Sequence, residues 1–244
     1  MRFARVLRSD LKRAILSRRF ALGVGLGVLM LYQPAYPFGF FDGIRFQGST
    51  LIDAIQDTFG LGAFILCCAV LCALPYGDVH ALEMEGGAFP YITHRTGTRA
   101  YLQSKLLSTA ISGGAVLCAA FLTFCLIQAF ALSPEFPSPA DWALVGSTML
   151  ELMCYGACWS LCSLALSVWL PNPFVALAAP FCITQFLWLF SAMTDWAYID
   201  PSSTIDRMSS TAPMPLVHLL LQHLGYSSIF ILIFMSGVKR TRCG

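Results

Sequence analysis

"LLSTAISGGAVLCAAFLTFCLIQAFAL", residues 106–132, is an apolar run without a single charged side chain. A helix of about 20 apolar residues crosses the hydrocarbon core of a bilayer, and a segment in lipid must satisfy its own backbone hydrogen bonds. The run therefore predicts a membrane-spanning helix. The whole chain agrees, since 57% of its 244 residues are hydrophobic and 11% are charged, against about 25% charged in soluble domains. The net charge of +2 gives no reason to expect nucleic-acid binding.

Five further windows are long and apolar enough to be spans. With the first run they give six predicted spans, at about 20–41, 58–76, 106–132, 142–170, 173–193 and 215–238. No connecting segment is long enough for a soluble domain. The sequence thus predicts an all-α integral membrane protein, with residues 1–244 forming a single transmembrane domain.

The Lys and Arg residues determine the predicted orientation. Seven of the fifteen precede residue 20, three lie between residues 95 and 105, and three lie between residues 239 and 242. With six spans these segments share one side of the membrane, and Lys and Arg are enriched in cytoplasmic loops. Both termini are therefore predicted to be cytoplasmic. We expect a multi-pass protein of a cytoplasmic (inner or plasma) membrane in a bacterium.

The N-terminal segment "RFARVLRSDLKRAILSRRF", residues 2–20, places apolar residues at helical spacings between bases. This pattern predicts an amphipathic helix over residues 1–19 that lies in the membrane interface, with its bases near anionic lipid head groups. A cleavable signal peptide is not favoured, because no small-x-small cleavage site follows. In the first span, Gly23 and Gly27 form a G-x-x-x-G pattern, which is typical of close helix packing.

The predicted loop between the second and third spans contains "EMEGGAFPYITHRTGTRAYLQSK", residues 83–105. We expect a short helix over Val79–Phe89 that Gly86 and Gly87 weaken and Pro90 interrupts. Thr96 or Thr98 is the predicted N-cap of the next helix. We call residues 79–98 the elbow. A solvated loop that carries positive charge would explain the bases, but not the paired acids, the glycines and the proline.

This stretch contains a Glu and a Gly after the second span, an apolar pair, an Arg-Thr turn, and a Tyr-x-x-x-Lys that enters the third span. The residues are Glu85, Gly87, Tyr91, Ile92, Arg95, Thr96, Arg99, Tyr101, Leu102, Ser104 and Lys105. In this respect the chain resembles the type-2 permeases of ABC exporters. Six spans, a basic N-terminal helix and a long outer segment before the last span also match that family in outline.

The resemblance implies that the elbow contains a coupling helix, which docks into a groove of a separate ATP-binding-cassette ATPase subunit. The implied docking residues are Glu83, Glu85, Gly87, Phe89, Tyr91, Ile92 and Arg95. The acids would pair with bases of the partner, and the apolar side chains would fill its groove. A second permease subunit, identical or related, would complete a dimer around the translocation path, surrounded by membrane lipids.

The chain has no G-x-x-x-x-G-K-[ST] phosphate loop. We therefore expect no directly bound cofactor and no enzymatic activity of its own, with ATP hydrolysis supplied by the partner subunit. The ten cysteines show no C-x-x-C spacing, so no metal or redox site is predicted and the cysteines are expected to pack as small apolar residues.

Glu151 is the carboxylate that lies well inside an apolar window. At about 100° per residue, Ser147, Glu151 and Tyr155 fall on one stripe of the fourth span, together with Cys158 and Cys162. Charges inside a membrane usually face protein or a cavity. The stripe is either a candidate part of a translocation path or a hydrogen-bonded helix contact. His218 and His223 point in different directions on the sixth span and do not predict a metal site.

The leading hypothesis is the transmembrane permease subunit of an ABC exporter, with its cargo open. The alternative is an ATP-independent secondary carrier or channel that uses Glu151 as its coupling group. No internal repeat is evident, although many carriers have inverted repeats. A membrane enzyme is disfavoured, because the sequence has no G-x-S-x-G, no H-E-x-x-H and no intramembrane Asp pair.

Overall fold

The structure is a computed structural model, and it describes residues 2–32, 50–60, 63–132, 138–170, 172–194 and 216–243. All regular secondary structure in these residues is helical, which confirms the predicted all-α class. The helices are α1 (Arg2–Ile15), α2 (Arg18–Tyr32), α3 (Leu51–Gly60), α4 (Ala63–Ala73), α5 (Val79–Glu85), α6 (Ala88–Thr96), α7 (Thr98–Ile127), α8 (Pro139–Ser167), α9 (Pro173–Thr194) and α10 (Leu216–Cys243). A π-helical segment, Gln128–Leu132, extends α7.

Four helices are long and apolar enough to cross a membrane, so the chain is a multi-pass membrane protein. These segments are Thr98–Phe130, Asp141–Ser167, Pro173–Thr194 and Leu220–Arg240. They coincide with the predicted third to sixth spans. A fifth candidate is the pair Phe3–Ile15 and Arg18–Tyr32, whose two helices are bent by 49° at their break.

The first two predicted spans fall partly outside the described residues. The first begins as α2, but residues 33–41 are not among those described. The predicted span 58–76 corresponds to the end of α3, to α4 and to a turn at residues 74–78, with residues 61 and 62 undescribed. The predicted long outer segment before the last span also lies mostly outside the described residues. The count of six and the orientation therefore remain predictions.

Helix α7 is the central helix, in contact with α1, α2, α4 and α8. Small residues let it approach α8 very closely. An ideal Cβ added to Gly114 would lie 2.6 Å from Met153 Sδ, and one added to Gly113 would collide with Ser160. Because no side chain separates the two backbones here, α7 and α8 pack as a tight pair through dispersion contacts rather than through the hydrophobic effect.

Helix α2 packs on α7 through two of its three glycines, Gly23 and Gly27. A Cβ added to Gly23 would lie 2.9 Å from Val116 Cγ2, and one added to Gly27 would lie 2.7 Å from Ala120 Cβ. Both glycines are buried. The close contact predicted from the G-x-x-x-G pattern is confirmed.

Helix α1 is amphipathic, with Arg5, Arg8 and Lys12 exposed on one side. The opposite side packs on α7, and Asp10 and Ala14 on that side are buried. The pattern of bases and apolar residues predicted the helix correctly. It did not predict that another helix of the same chain, rather than lipid alone, would cover the apolar side.

The elbow is two short helices, α5 and α6, instead of the single predicted helix over Val79–Phe89. Gly87 separates them with φ 64°, in the left-handed region that favours glycine. Pro90 is the third residue of α6, where its missing N–H leaves no intrahelical bond unmade. The proline therefore fits within the first turn of a new helix.

The predicted cap of α7 is wrong. Gly97, with φ 82°, occupies the N-cap position and offers no side-chain hydrogen bond, while Thr98 is already the first helical residue. Thr96 ends α6, and its hydroxyl donates to the carbonyl oxygen of Ile92 at 2.7 Å. The residue between the two helices has a positive φ, which glycine adopts more readily than threonine.

Candidate functional site

Lys105 lies at the centre of a buried group of polar side chains that we call the charge cluster: Asp10, Tyr76, His80, Glu83, Tyr101, Ser104 and Lys105. The side chain of Lys105 comes from the first part of α7, and the residue is 1% exposed. Its Nζ donates to Glu83 Oε1 at 2.6 Å, to Tyr76 Oη at 2.9 Å and to Asp10 Oδ1 at 3.2 Å. An ammonium group has three N–H donors, so all three have an oxygen partner.

Asp10 brings the N-terminal helix into the cluster. It accepts hydrogen bonds from Tyr76 Oη at 2.8 Å and from Ser104 Oγ at 2.6 Å, in addition to its pair with Lys105. Asp10 is 4% exposed and lies on the packed side of α1. Burial of an aspartate on the apolar side of a helix costs free energy unless the carboxylate is paired and hydrogen-bonded. Its partners here come from α7 and from the end of the second predicted span.

Glu83 and His80 bring α5 into the cluster. The hydroxyl of Tyr101 donates to Glu83 Oε2 at 2.8 Å, and the same hydroxyl oxygen lies 2.8 Å from His80 Nδ1. Because the Tyr101 proton is directed at a carboxylate, its oxygen must accept from Nδ1–H of His80. This network assigns the Nδ1–H tautomer to the neutral imidazole.

His80 is completely buried, and its ring lies edge-on to Phe89 and Phe234 at 5.2 and 5.8 Å between centroids. Burial, and secondly the positive charge of Lys105, lower the pKa of His80 from 6.5 to about 4. Its Nε2 has no hydrogen-bond partner among the described residues. A second positive charge beside Lys105 is therefore disfavoured, and His80 acts here as a neutral donor.

The charge cluster joins three separate segments of the chain, since Asp10 is on α1, Glu83 is on α5 and Lys105 is on α7. Removing charges from water is costly, and a buried ion pair adds little net stability compared with an apolar core. Breaking such a pair on one side is, however, strongly destabilising. The cluster therefore holds α1 and the elbow on α7 in one specific arrangement, which separation of the helices would disrupt.

A second ion pair fixes the start of α2 near the elbow. Arg19 Nη1 contacts both carboxylate oxygens of Asp78, at 2.7 and 2.9 Å. The Asp78 side chain is 2% exposed, whereas that of Arg19 is 47% exposed. Asp78 immediately precedes α5, so the elbow is connected to α2 as well as to α1 and α7.

Four of the predicted docking residues are exposed on the outside of the elbow. We call Glu85, Gly87, Tyr91 and Arg95 the outer face of the elbow. Tyr91 is 81% exposed, the largest exposure among the large hydrophobic side chains of the described residues. Ile92, a fifth predicted docking residue, is only partly exposed and packs against the core.

Glu83 and Phe89, the other two predicted docking residues, lie on the inner side. Glu83 pairs with Lys105, and the Phe89 ring packs against His80 and Tyr101. A partner protein cannot contact Glu83 without opening the charge cluster, so the predicted contact of Glu83 disagrees with its position. Phe89 is 8% exposed, and we restrict the candidate docking surface to the outer face and Ile92.

A pocket of about 480 Å³ opens between the elbow and the end of α10. Its walls are Met84, Gly87, Phe89, Pro90, Thr93, His94, Thr98 and Val238. The pocket adjoins the outer face and has a mixed apolar and polar lining. The pocket is open, and five of its lining residues lie on α6 or at its N-cap.

The predicted stripe on α8 is present as one side of a continuous helix. Ser147 is partly buried and donates to the Leu144 carbonyl oxygen at 2.8 Å. Glu151 is partly buried, and Tyr155 is 1% exposed. The Tyr155 ring lies 6.0 Å from His223 and 6.1 Å from Trp159. Across the described residues, no three His, Cys, Asp or Glu side chains are grouped closely enough to hold a metal ion.

No protein-family model and no curated protein matches this chain. The resemblance to type-2 permeases consequently depends on the residues of the loop at 83–105 and on the arrangement of the spans.

Reasoning from the sequence found the elbow but missed the partners of Lys105. Neither Asp10 nor His80 is singled out by the sequence patterns, and Lys105 enters them only as a cytoplasmic base and as the end of the Tyr-x-x-x-Lys pattern. One signal is present in the sequence: Asp10 is the single acid among the seven bases of residues 2–19, at a position that the helical period assigns to the apolar side. An acid there indicates a buried cationic partner.

Proposed function

We propose that this chain is the transmembrane permease subunit of an ATP-driven ABC export complex in a bacterial cytoplasmic membrane. Two permease chains, identical or related, enclose the translocation path, and the elbow of each docks on a separate ATP-binding-cassette ATPase. Each chain has six spans with both termini in the cytoplasm. The chain itself binds no ATP, in keeping with its lack of a phosphate loop.

The observation that carries this proposal is the two-sided elbow. Its inner side is attached to α7 through the ion pair of Glu83 with Lys105, at 2.6 Å. Its outer face exposes Tyr91, whose side chain has no buried role in this chain. Force between two polypeptides is transmitted well by a stiff element with a firm internal attachment and an external contact surface. The elbow has both properties.

The contact would follow the usual distribution of interface energy, in which a few aromatic anchors dominate and rim charges contribute less. Tyr91 is the natural anchor, with Glu85 and Arg95 at the rim. A movement of the ATPase would then displace α6 and, through the charge cluster, the first part of α7. Because α7 packs closely on α8, the displacement would reach the stripe that contains Glu151.

Tyr91→Ala tests the proposal without disturbing the interior, since Tyr91 is 81% exposed. The permease is expressed together with a candidate ATP-binding-cassette ATPase, and co-purification and permease-stimulated ATP hydrolysis are measured. We expect Tyr91→Ala to weaken co-purification by about tenfold or more, as for an aromatic interface anchor. The matched control is Phe174→Ala, because Phe174 is an aromatic residue with 80% exposure in the first turn of α9, away from the elbow in the sequence.

Wild-type co-purification in the Tyr91→Ala variant would refute docking through the outer face. Phe89→Ala is not a suitable probe, because Phe89 is buried against the charge cluster and its removal would act through folding. Replacement of residues 84–95 by a Gly-Ser linker is unsuitable for the same reason, because it also removes the buried side chain of Phe89.

A second candidate function is an ATP-independent carrier. It is favoured by one observation, namely that Glu151 is partly buried inside a span and its Oε2 has no hydrogen-bond partner among the described residues. Such carboxylates serve as proton or ion relays in many transporters. Purified chain in proteoliposomes without an ATPase distinguishes the two. Uptake driven by a proton gradient alone would favour the carrier.

A further inference from the structure

Two of the helices that are apolar enough to cross a membrane end at the pocket beside the elbow. Thr98 is the first residue of the candidate span Thr98–Phe130, and Val238 lies just before the end of the candidate span Leu220–Arg240. Both residues line the pocket, together with residues of α6. Its volume of about 480 Å³ is within the range of about 300–1,000 Å³ that is usual for small-molecule sites. The pocket is therefore large enough to hold a ligand at the end of two spans.

The surface of α10 changes from apolar to basic at the level of the pocket. Leu232 and Met235 are exposed apolar residues, whereas Lys239 and Arg240 are exposed bases. Exposed apolar side chains of a membrane protein face lipid, and a base in the hydrocarbon core is costly. The boundary between the hydrocarbon core and the head groups therefore falls between Met235 and Lys239, and Val238 lies within that interval.

The same change occurs where α6 meets α7. Arg95 on α6 and Arg99 in the first turn of α7 are exposed bases, whereas Leu107, about two turns further along α7, is an exposed apolar residue. The sequence neighbours of these two bases, His94 and Thr98, line the pocket. The two sides of the pocket thus agree, and both place it at the depth of the lipid head groups.

Most of the pocket is built from parts of the chain that contain no acid. The sequence has no Asp or Glu between residues 86 and 134 or between residues 207 and 244, and these stretches include α6, the start of α7 and all of α10. Two acids, Glu83 and Glu85, flank the lining residue Met84 on α5. Glu83 pairs with Lys105, so Glu85 is the exposed acid nearest to the lining in the sequence.

Exposed bases outnumber that acid around the pocket. Arg95, Arg99 and Lys239 each follow a lining residue directly in the sequence, and all three are exposed. Their long side chains give the surroundings of the pocket an excess of positive charge, which attracts anions and disfavours cations. Basic pockets between spans on the cytoplasmic side are typical binding sites of anionic lipid head groups.

The lining combines apolar walls with two polar side chains that can donate to a ligand. Phe89 and Pro90 supply apolar surface, and His94 and Thr98 supply an imidazole and a hydroxyl group. The hydroxyl of Thr93, which also lines the pocket, is directed at the carbonyl oxygens of Phe89 and Pro90, at 2.8 and 3.1 Å. A ligand with an anionic acceptor group beside an apolar part matches this lining.

We propose that this pocket binds the phosphate head group of an anionic phospholipid. His94 and Thr98 donate to the phosphate oxygens, and the neighbouring bases compensate its negative charge. The acyl chains extend along the exposed apolar side of α10, past Met235 and Leu232. The site requires no ATPase, so the inference goes beyond the proposed export function and does not depend on it.

The depth of the pocket favours a lipid over a soluble phosphate compound. A soluble compound would use only the polar part of the lining and the bases. A lipid also covers the exposed apolar residues that continue from the pocket along α10, and its phosphate lies at the head-group level without leaving the bilayer.

The test uses the purified full-length chain in dodecyl maltoside micelles, without any ATPase. The probe is phosphatidylglycerol with a fluorescent group at the end of one acyl chain, and phosphatidylcholine with the same label is the zwitterionic comparison. We expect saturable binding of phosphatidylglycerol, with an affinity at least about tenfold higher than that of phosphatidylcholine. Unlabelled phosphatidylglycerol should displace the probe, whereas glycerol phosphate, which lacks acyl chains, should not.

His94→Glu places a carboxylate in the lining at an exposed position. We expect it to lower the affinity for phosphatidylglycerol by about tenfold or more, because like charges would be brought together. His94→Gln keeps a hydrogen-bond donor without adding a carboxylate and should retain saturable binding, which separates the effect of the charge from the loss of the imidazole. The matched control is Ser9→Glu, which adds a carboxylate at an exposed position of α1. Its affinity should stay within about twofold of wild type.

Equal affinities for phosphatidylglycerol and phosphatidylcholine, or an unchanged affinity in His94→Glu, would overturn the inference. An equal loss in His94→Glu and Ser9→Glu would also overturn it, since the attraction would then come from the charge of the whole chain. Displacement by glycerol phosphate at the same concentration as by the lipid would refute a lipid ligand. Because the assay contains no ATPase, wild-type co-purification by Tyr91→Ala would refute docking at the elbow and leave the lipid site standing.

Discussion

Replacement of Lys105 by Met tests whether the charge cluster holds the elbow on α7. Lys105 supplies one positive charge to two buried carboxylates and donates to Glu83, Asp10 and Tyr76. Met has a similar length and no charge. In the variant, Glu83 keeps the hydroxyl of Tyr101, and Asp10 keeps those of Tyr76 and Ser104. Two carboxylates then remain buried without a cation.

Breaking a buried ion pair from one side costs about 3–5 kcal/mol, and we expect Lys105→Met to lower the free energy of unfolding by that amount. Glu83→Gln should cost less, because it leaves one cation paired with one anion. In the variant Asp10→Asn, Glu83→Gln, Lys105→Met no charge is left in the cluster. Most of the lost stability should then return, since replacement of a whole buried triad by neutral groups is often tolerated.

The assay is unfolding in mixed micelles of dodecyl maltoside and dodecyl sulfate, followed by far-ultraviolet ellipticity. The matched control is Arg99→Met, which removes an exposed base from the same helix and should change stability by about 0.5 kcal/mol or less. Lys105→Met and Glu83→Gln should be non-additive by about 1 kcal/mol or more, as expected for residues in one network. The proposed role of the charge cluster would be refuted if the losses of unfolding free energy in Lys105→Met and Glu83→Gln were additive. It would also be refuted if Lys105→Met were as stable as Arg99→Met.

Two further predictions concern pH and topology. His80 has a folded-state pKa of about 4 against 6.5 ordinarily, so its contribution to stability is present above pH 6.5 and is lost as the pH falls towards 4. Between pH 6.5 and pH 4, the free energy of unfolding of the wild type should fall by up to about 3 kcal/mol more than that of His80→Gln. Equal pH profiles of the two proteins would contradict the lowered pKa of His80. An impermeant maleimide should label Thr50→Cys from outside the cell and Arg99→Cys only after permeabilisation. The reverse labelling pattern would invert the predicted orientation.

The spans were predictable because bilayer thickness imposes a length on apolar helices. Helices α7 to α10 lie where the hydropathy placed spans, yet their ends were less predictable. Helix α7 begins at Thr98 instead of residue 106, since its first turns carry Arg99, Ser104 and Lys105. A polar segment lowers the hydropathy without ending a helix, and the backbone hydrogen bonds continue into the elbow.

The contacts of the elbow were not predictable from local patterns. Lys105 is 22 residues from Glu83 and 95 from Asp10 in the sequence, and no helical or strand period relates residues so far apart. Glu83 and Glu85 look equivalent in a single sequence, being two residues apart in one short helix. Two residues correspond to about 200° on a helix, so one carboxylate points at Lys105 and the other at solvent.

The position of Asp10 distinguishes two interpretations of the N-terminal helix, namely a helix that lies only on lipid and a helix that docks on protein. A basic amphipathic helix that lies only on lipid gains nothing from an acid on its apolar side, where a carboxylate would be desolvated without a partner. A helix that docks on protein can place an acid there if a cation and donors are ready, and Lys105, Tyr76 and Ser104 fill those roles. The bases Arg5, Arg8 and Lys12 are exposed, so the predicted contact with anionic head groups is compatible with docking of the other side on protein. Helix α1 is therefore attached to the same lysine that holds the elbow. Any movement of the elbow that strains the pair of Lys105 with Glu83 must also strain its pair with Asp10.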